Sequence, residues 1–125
     1  MLKILAIDDN RTITNMVCEY LRSRGHDCTT SNDGQEGLNM ILERPFDAIL
    51  LDLAMPKFSG YDIIESLIRT DKIGEKNILV FSAGDIAEAE LKKLQCHGVN
   101  CSIHKTTDMH ALEKTIQSMV DKTNP

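Results

Sequence analysis

The chain has 125 residues, 42% of them hydrophobic, which is enough for one domain with a core of its own. A formal net charge of −5 and the lack of any lysine or arginine run argue against a nucleic-acid-binding surface, and with no Trp and 4% aromatics there is little on which to stack bases. No stretch approaches the roughly 20 apolar residues of a membrane helix. The short apolar N-terminus runs straight into two aspartates, so it reads as a buried strand rather than a signal peptide, and the expected setting is the cytoplasm.

Short apolar runs alternate with helical periodicity along the whole chain. The first run, Lys3–Asp8, is followed by a helix that places Ile13, Met16, Val17, Tyr20 and Leu21 on one face and stops near Gly25. His26–Thr30 is the second strand. The second helix starts at Asp33, an N-cap residue type, and is stopped at Arg44 by Pro45. Ala48–Asp52 and Ile78–Ser82 contain the continuous apolar runs Ile49-Leu50-Leu51 and Ile78-Leu79-Val80-Phe81, which suit central parallel strands covered on both faces. Between them lies a helix over Gly60–Thr70 with Ile64, Leu67 and Ile68 inward. A fourth helix, Ile86–His97, closes at Gly98. The fifth strand is Val99–His104, and the last helix, Asp108–Lys122, carries Met109, Leu112, Ile116, Met119 and Val120 on one face. Only Thr123-Asn124-Pro125 reads as frayed.

This βαβαβαβαβα order implies a parallel sheet with helices on both faces, and right-handed crossovers make a flavodoxin-like fold of strand order 2-1-3-4-5 the expected answer. No linker, repeat or low-complexity segment interrupts it, so residues 1–125 read as a single domain without an output domain. The four cysteines, Cys18, Cys28, Cys96 and Cys101, show no Cys-x-x-Cys spacing and read as reduced, mostly buried thiols. A metal cluster from Cys96, His97, Cys101 and His104 is the sharper alternative, but its spacing matches no common zinc pattern.

Sites on such sheets gather at the carboxyl ends of the strands. Here those ends offer Asp8-Asp9, Asp52, Ser82 and Lys105. Three clustered carboxylates repel one another by about 4 kcal/mol per pair at a few ångströms and an effective dielectric near 20. Lys105 can offset one charge only, and a hard divalent cation with oxygen ligands, Mg²⁺ or Mn²⁺, is the natural complement. A carboxylate beside such a metal can act as a nucleophile and form an acyl phosphate. Singly, each residue has a plainer reading: Asp8, Asp9 or Asn10 as a helix cap, Asp52 as a turn aspartate. Their joint placement at four strand ends is what points to chemistry.

Ile7-Asp8-Asp9-Asn10, then Leu50-Leu51-Asp52-Leu53-Ala54-Met55-Pro56, Ser59-Gly60-Tyr61, Phe81-Ser82-Ala83 and Lys105 stand in an order and spacing that resembles the response-regulator receiver family of two-component signalling, over essentially the whole chain. The resemblance implies roles residue by residue. Asp52 matches the phospho-acceptor. Asp9 and Asp52 match direct metal ligands, together with the backbone carbonyl of Ala54, while Asp8 acts through metal-bound water. Ser82, with Ala83 beside it, and Lys105 match the groups that take phosphoryl oxygens. The implied donor is a phosphohistidine on a sensor histidine kinase or phosphotransfer protein. The implied output is a changed contact with a downstream protein, with a possible homodimer through the fourth helix, fifth strand and fifth helix. Glu88, Lys92, Lys93 and Glu113 are the exposed candidates there. A receiver catalyses only its own phosphorylation and dephosphorylation and is not otherwise an enzyme.

Two positions depart from the family pattern. Thr106 stands where a proline with a cis bond usually follows the lysine; a non-proline cis bond costs about 2.5–4 kcal/mol, so a trans bond and a shifted or loosened Lys105 are expected. Ser102 stands where a Tyr, Phe or His ring usually rotates inward, so the expected output is backbone movement of the loop after Ser82 and of the fourth helix. His104 should face away from Lys105 and Ile103. Small residues at Ala54 and Gly84 would leave a phosphoryl group open to water, which predicts a short lifetime. Two rivals stand beside this reading: a pseudo-receiver that acts only as an interaction module, and a metal-dependent phosphatase of haloacid-dehalogenase type. The latter wants two aspartates one residue apart after the first strand, whereas Asp8 and Asp9 are adjacent.

Overall fold

A computed structural model describes residues 1–123. Asn124 and Pro125, expected to be frayed, lie outside the described residues. The elements are β1 (Lys3–Ile7), α1 (Arg11–Ser23), β2 (Asp27–Ser31), α2 (Gly34–Glu43), β3 (Ala48–Leu51), α3 (Gly60–Arg69), a short 3₁₀ turn (Ile73–Glu75), β4 (Ile78–Ser82), α4 (Glu88–His97), β5 (Cys101–His104) and α5 (Met109–Thr123). The five strands form one parallel sheet of order β2-β1-β3-β4-β5, the flavodoxin-like order expected.

Alternation along the strands builds two cores. Leu5, Ile7, Ile49, Leu51, Ile78 and Val80 pack with Leu38 and Ile41 of α2, Ile63, Ile64 and Leu67 of α3, and Leu94 of α4. Ile4, Ala6, Ala48, Leu50, Leu79 and Phe81 face the other way, against Val17, Cys18 and Leu21 of α1 and Leu112, Ile116, Met119 and Val120 of α5. Local chemistry sets the helix ends. The Asn10 side chain accepts from the N–H groups of Thr12 and Ile13, Asp33 from Glu36, and Ser59 and Asp62 form a capping box. Arg44 is already extended ahead of Pro45.

The periodicity erred in detail on two helices. On α1 the buried residues are Thr14, Val17, Cys18 and Leu21, while Met16 is exposed. The buried stripe is rotated toward Thr14 because its hydroxyl finds partners in Arg11 O and the Asn32 amide, a compensation that a hydrophobicity pattern does not register. On α3, Ile63 takes the inward place expected of Ile68, which is exposed.

The cysteine reading is corrected for one pair and holds as free thiols for the other two. Cys18 and Cys28 form a disulfide between α1 and β2. Cys18 lies on the buried face of α1 and Cys28 is the second residue of β2, so helix-on-strand packing brings them together, which a ten-residue separation does not announce. Cys96 is exposed and Cys101 half-buried, both as free thiols. The Cys96, His97, Cys101 and His104 set is not gathered; among the described residues, the one group with metal-ligand spacing is Asp8, Asp9 and Asp52. No described helix is long and apolar enough to cross a membrane.

Candidate functional site

The sheet register assembles the acidic centre. Ile7 pairs with Leu51, so Asp8 and Asp52 are the next residues along two neighbouring strands, and the Asp52 N–H donates to the Ile7 carbonyl at 3.0 Å. Both follow the parity of Ala6 and Leu50 and lean to the α1/α5 side. Ser82 pairs with His104, and Lys105 follows with its N–H on the Ser82 carbonyl at 2.7 Å. Cys101 and Ile103 pack against the α1/α5 core, so Lys105, two residues further on, comes to the same side as the aspartates.

Asp8 is buried, Asp52 is buried and Asp9 is exposed, and a carboxylate oxygen from each lies within 4.8 Å of the others. The Lys105 ammonium reaches Asp8 Oδ2 at 2.6 Å and Asp52 Oδ1 at 3.5 Å. Burial first, and the charge of Asp8 second, push the Asp52 carboxyl up to about 6, against the lowering effects of Lys105 and the Ala54 N–H. For Lys105, burial pulls downward, but the hydrogen bond and charge of Asp8 and the charge of Asp52 win, and its ammonium is held above the usual lysine value. Asp52 Oδ1 accepts from the Ala54 N–H at 3.3 Å and faces Lys105.

The donor set fits a hard divalent cation. It offers three carboxylates and no sulfur or imidazole, and Asp8 Oδ2 is buried without a well-directed hydrogen bond despite the neighbouring ammonium. One lysine against three carboxylates leaves the centre net negative, which a divalent cation would correct.

The remaining residues are placed unequally. The Ser82 hydroxyl is engaged by its own turn: it donates to the Gly84 carbonyl at 2.8 Å and accepts from the Gly84 N–H at 3.2 Å. Ala54, Ala83 and Gly84 are exposed, and a side chain at Gly84 would meet nothing within 4 Å. Gly60, the first residue of α3, has a spatial role that its place in the Ser59-Gly60-Tyr61 motif does not reveal. A Cβ there would run into the Asp52 carbonyl oxygen and lie 2.8 Å from Leu53 Cα, so only glycine lets α3 begin against the backbone of Asp52 and Leu53. Its legible signal was the Ser59 cap before it.

The sequence profile of the response regulator receiver domain matches residues 4–117. The chain belongs to that family. This receiver is 30% identical over 119 residues to the CAI-1 autoinducer sensor kinase/phosphatase CqsS of Vibrio cholerae, covering 94% of the chain and 17% of the kinase. It is 27% identical to the probable transcriptional regulator ycf27 of Guillardia theta, covering 98% of the chain and 46% of that protein. The receiver thus spans less than half of either relative. Among solved structures, the chemotaxis protein CheY4 of Vibrio cholerae superposes with a TM-score of 0.84 at 26% identity, covering 95% of the receiver and 98% of CheY4.

The two departures from the family pattern resolve differently in this receiver. The described residues contain no cis peptide bond, so Lys105–Thr106 is trans as expected, yet Lys105 is not displaced from the carboxylates. Thr106 puts its freedom from proline to use: its N–H and hydroxyl both bond His104 Nδ1, at 3.1 and 2.7 Å. Ser102 leaves a recess of ≈ 330 Å³ lined by Ser82, Gly84, Asp85, Ile86, Ile103 and His104. Glu113 is corrected as a free surface charge: it is mostly covered and bonded to Arg24 at 3.1 Å and His26 at 2.9 Å. Glu88, Lys92 and Lys93 are exposed, with Glu88 and Lys92 paired at 3.3 Å.

Proposed function

We propose that this receiver takes a phosphoryl group onto Asp52 from a phosphohistidine of a sensor histidine kinase or phosphotransfer protein, and that the modification alters its contacts with a downstream protein. The observation that carries the reading is the convergence of three carboxylates within 4.8 Å, two of them buried, with Lys105 bridging Asp8 and Asp52. The Asp52 carboxylate attacks phosphorus, the phosphorus–nitrogen bond of the donor breaks, and the electron pair stays on the imidazole. At neutral pH, a carboxyl pushed up to about 6 is still largely ionised and therefore nucleophilic. Lys105 is placed to follow charge from the Asp52 carboxylate onto a phosphoryl oxygen, and Ser82 could take another if its hydroxyl leaves Gly84.

Asp9 and Asp52, with the Ala54 carbonyl and with Asp8 through water, would hold Mg²⁺ or Mn²⁺, which when bound supplies positive charge to the transferring oxygens. The contact face for a downstream protein or a second copy is, in this reading, the surface of α4, β5 and α5. The test is intact mass after incubation with Mg²⁺ and acetyl phosphate. A single phosphoryl adduct is expected on the wild type and none on Asp52→Asn. A wild type that stays unmodified, also with beryllofluoride as a non-hydrolysable substitute, would remove the reading.

A further inference from the structure

The backbone of Asp8 is held on both sides by groups that the proposed chemistry does not use. Asp8 N–H donates to the Ser31 carbonyl at 3.0 Å, extending the β1–β2 ladder by one bond. Asp8 O accepts from the Asn32 side-chain amide at 2.7 Å, and the same Nδ2 donates to Thr14 Oγ1 at 3.0 Å. Thr14 is buried, and its hydroxyl in turn donates to Arg11 O at 3.2 Å in the first turn of α1. Asn10 N–H returns to Asp8 Oδ1 at 3.0 Å. One amide group from the β2–α2 loop therefore ties the end of β1 to the start of α1, and the segment between these ties is Asp8-Asp9-Asn10.

We infer that Asn32 is a positioning residue for the divalent cation: by fixing the carbonyl of Asp8 it sets the plane of the Asp8–Asp9 peptide and so the directions in which both carboxylates leave the backbone. The inference rests on the metal site of the functional reading above. The physical reason is geometric. The Asp8 N–H fixes the Ile7–Asp8 peptide against β2 and the Asn32 amide fixes the Asp8–Asp9 peptide through its carbonyl; released at that carbonyl, the second peptide can turn Asp9, the exposed member of the set, away from Asp8 and Asp52. Loss of the amide also strands the Asp8 carbonyl and removes a partner of the buried Thr14 hydroxyl, so the loop has cause to move.

The experiment measures Mg²⁺ binding by the amide signals of residues 8–10 and 52–54 in ¹H–¹⁵N spectra, at a temperature where every variant is folded. Asn32→Leu keeps the shape of the side chain without its donor, and Asn32→Ala serves if leucine does not fold. Mg²⁺ affinity is expected to fall about tenfold, in the range found when groups that orient metal ligands are removed. An unchanged Mg²⁺ affinity with only a lowered melting temperature would reduce Asn32 to a structural role and overturn the inference. A wild type that binds Mg²⁺ but takes no phosphoryl group would defeat the functional reading alone, and the binding curves would still decide the role of Asn32. A wild type that binds no Mg²⁺ overturns both.

Discussion

On the β1–β3 side of the site, backbone and side chains are bonded at each step, whereas on the β4–β5 side they are held at few points. Asp8 and Asp52 are buried, their N–H groups extend the sheet ladders, and Gly60 and Asn32 fix the peptides around them. All four residues of β5 are only half-buried, and α4 buries Leu94 alone and has no side-chain cap at Ala87. The Ser82 hydroxyl is bonded to Gly84, within its own turn. The contrast teaches that the acidic centre is preorganised, while the β4–β5 side, with fewer buried side chains and an uncapped α4, has the features of a less stable region, from which moving elements are drawn.

The largest expected effect tests the tight side. Lys105→Met leaves Asp8 buried without its cation and should cost about 3 kcal/mol of stability, partly restored by Mg²⁺, as read from thermal melts with and without the metal. Gly60→Ala should cost about 2–3 kcal/mol, because the new Cβ can be accommodated only by moving the Asp52–Leu53 backbone. The same variant should lower the rate of adduct formation, and a melt and rate like those of wild type would show the tight side to be more pliable than its contacts indicate.

Asp52→Asn should instead stabilise the metal-free protein by about 2 kcal/mol at pH 8, because it removes a charge that burial and Asp8 disfavour. The sign follows from the raised carboxyl. The folded state holds its proton up to about 6 and the unfolded state only to 3.8, so the wild type loses stability as pH rises through that window. The advantage of the variant should therefore be absent below pH 3.8 and complete above about 6, measured by denaturant midpoints across pH. On the loose side, Ala87→Ser supplies the missing cap of α4 and should add about 1 kcal/mol. If capping α4 also suppresses the amide shifts that phosphorylation causes across residues 83–105, the loose side is the responding one; unchanged shifts would break the comparison.

Much of this was legible along the chain. The apolar runs Ile49-Leu50-Leu51 and Ile78-Leu79-Val80-Phe81 marked the central strands because a strand covered on both faces must be apolar throughout. Strand-end placement then singled out Asp8, Asp9, Asp52, Ser82 and Lys105, since in a parallel sheet all such ends meet at one edge. Helix limits followed from Asn10, Asp33 and Pro45, whose capping or blocking acts within a few residues.

What lay beyond reach were contacts between residues far apart in sequence. Asn32 on Asp8, Gly60 against the Asp52 carbonyl, Cys18 on Cys28 and Glu113 under Arg24 and His26 each depend on how a helix or loop seats on the sheet. A chain's periodicity specifies which face turns inward, and its residue types specify which chemistry reaches a strand end. The rotation of α1 that buried Thr14 in place of Met16, and the turn that sends the Ser82 hydroxyl to Gly84, were decided by hydrogen bonds that exist only once the elements have packed.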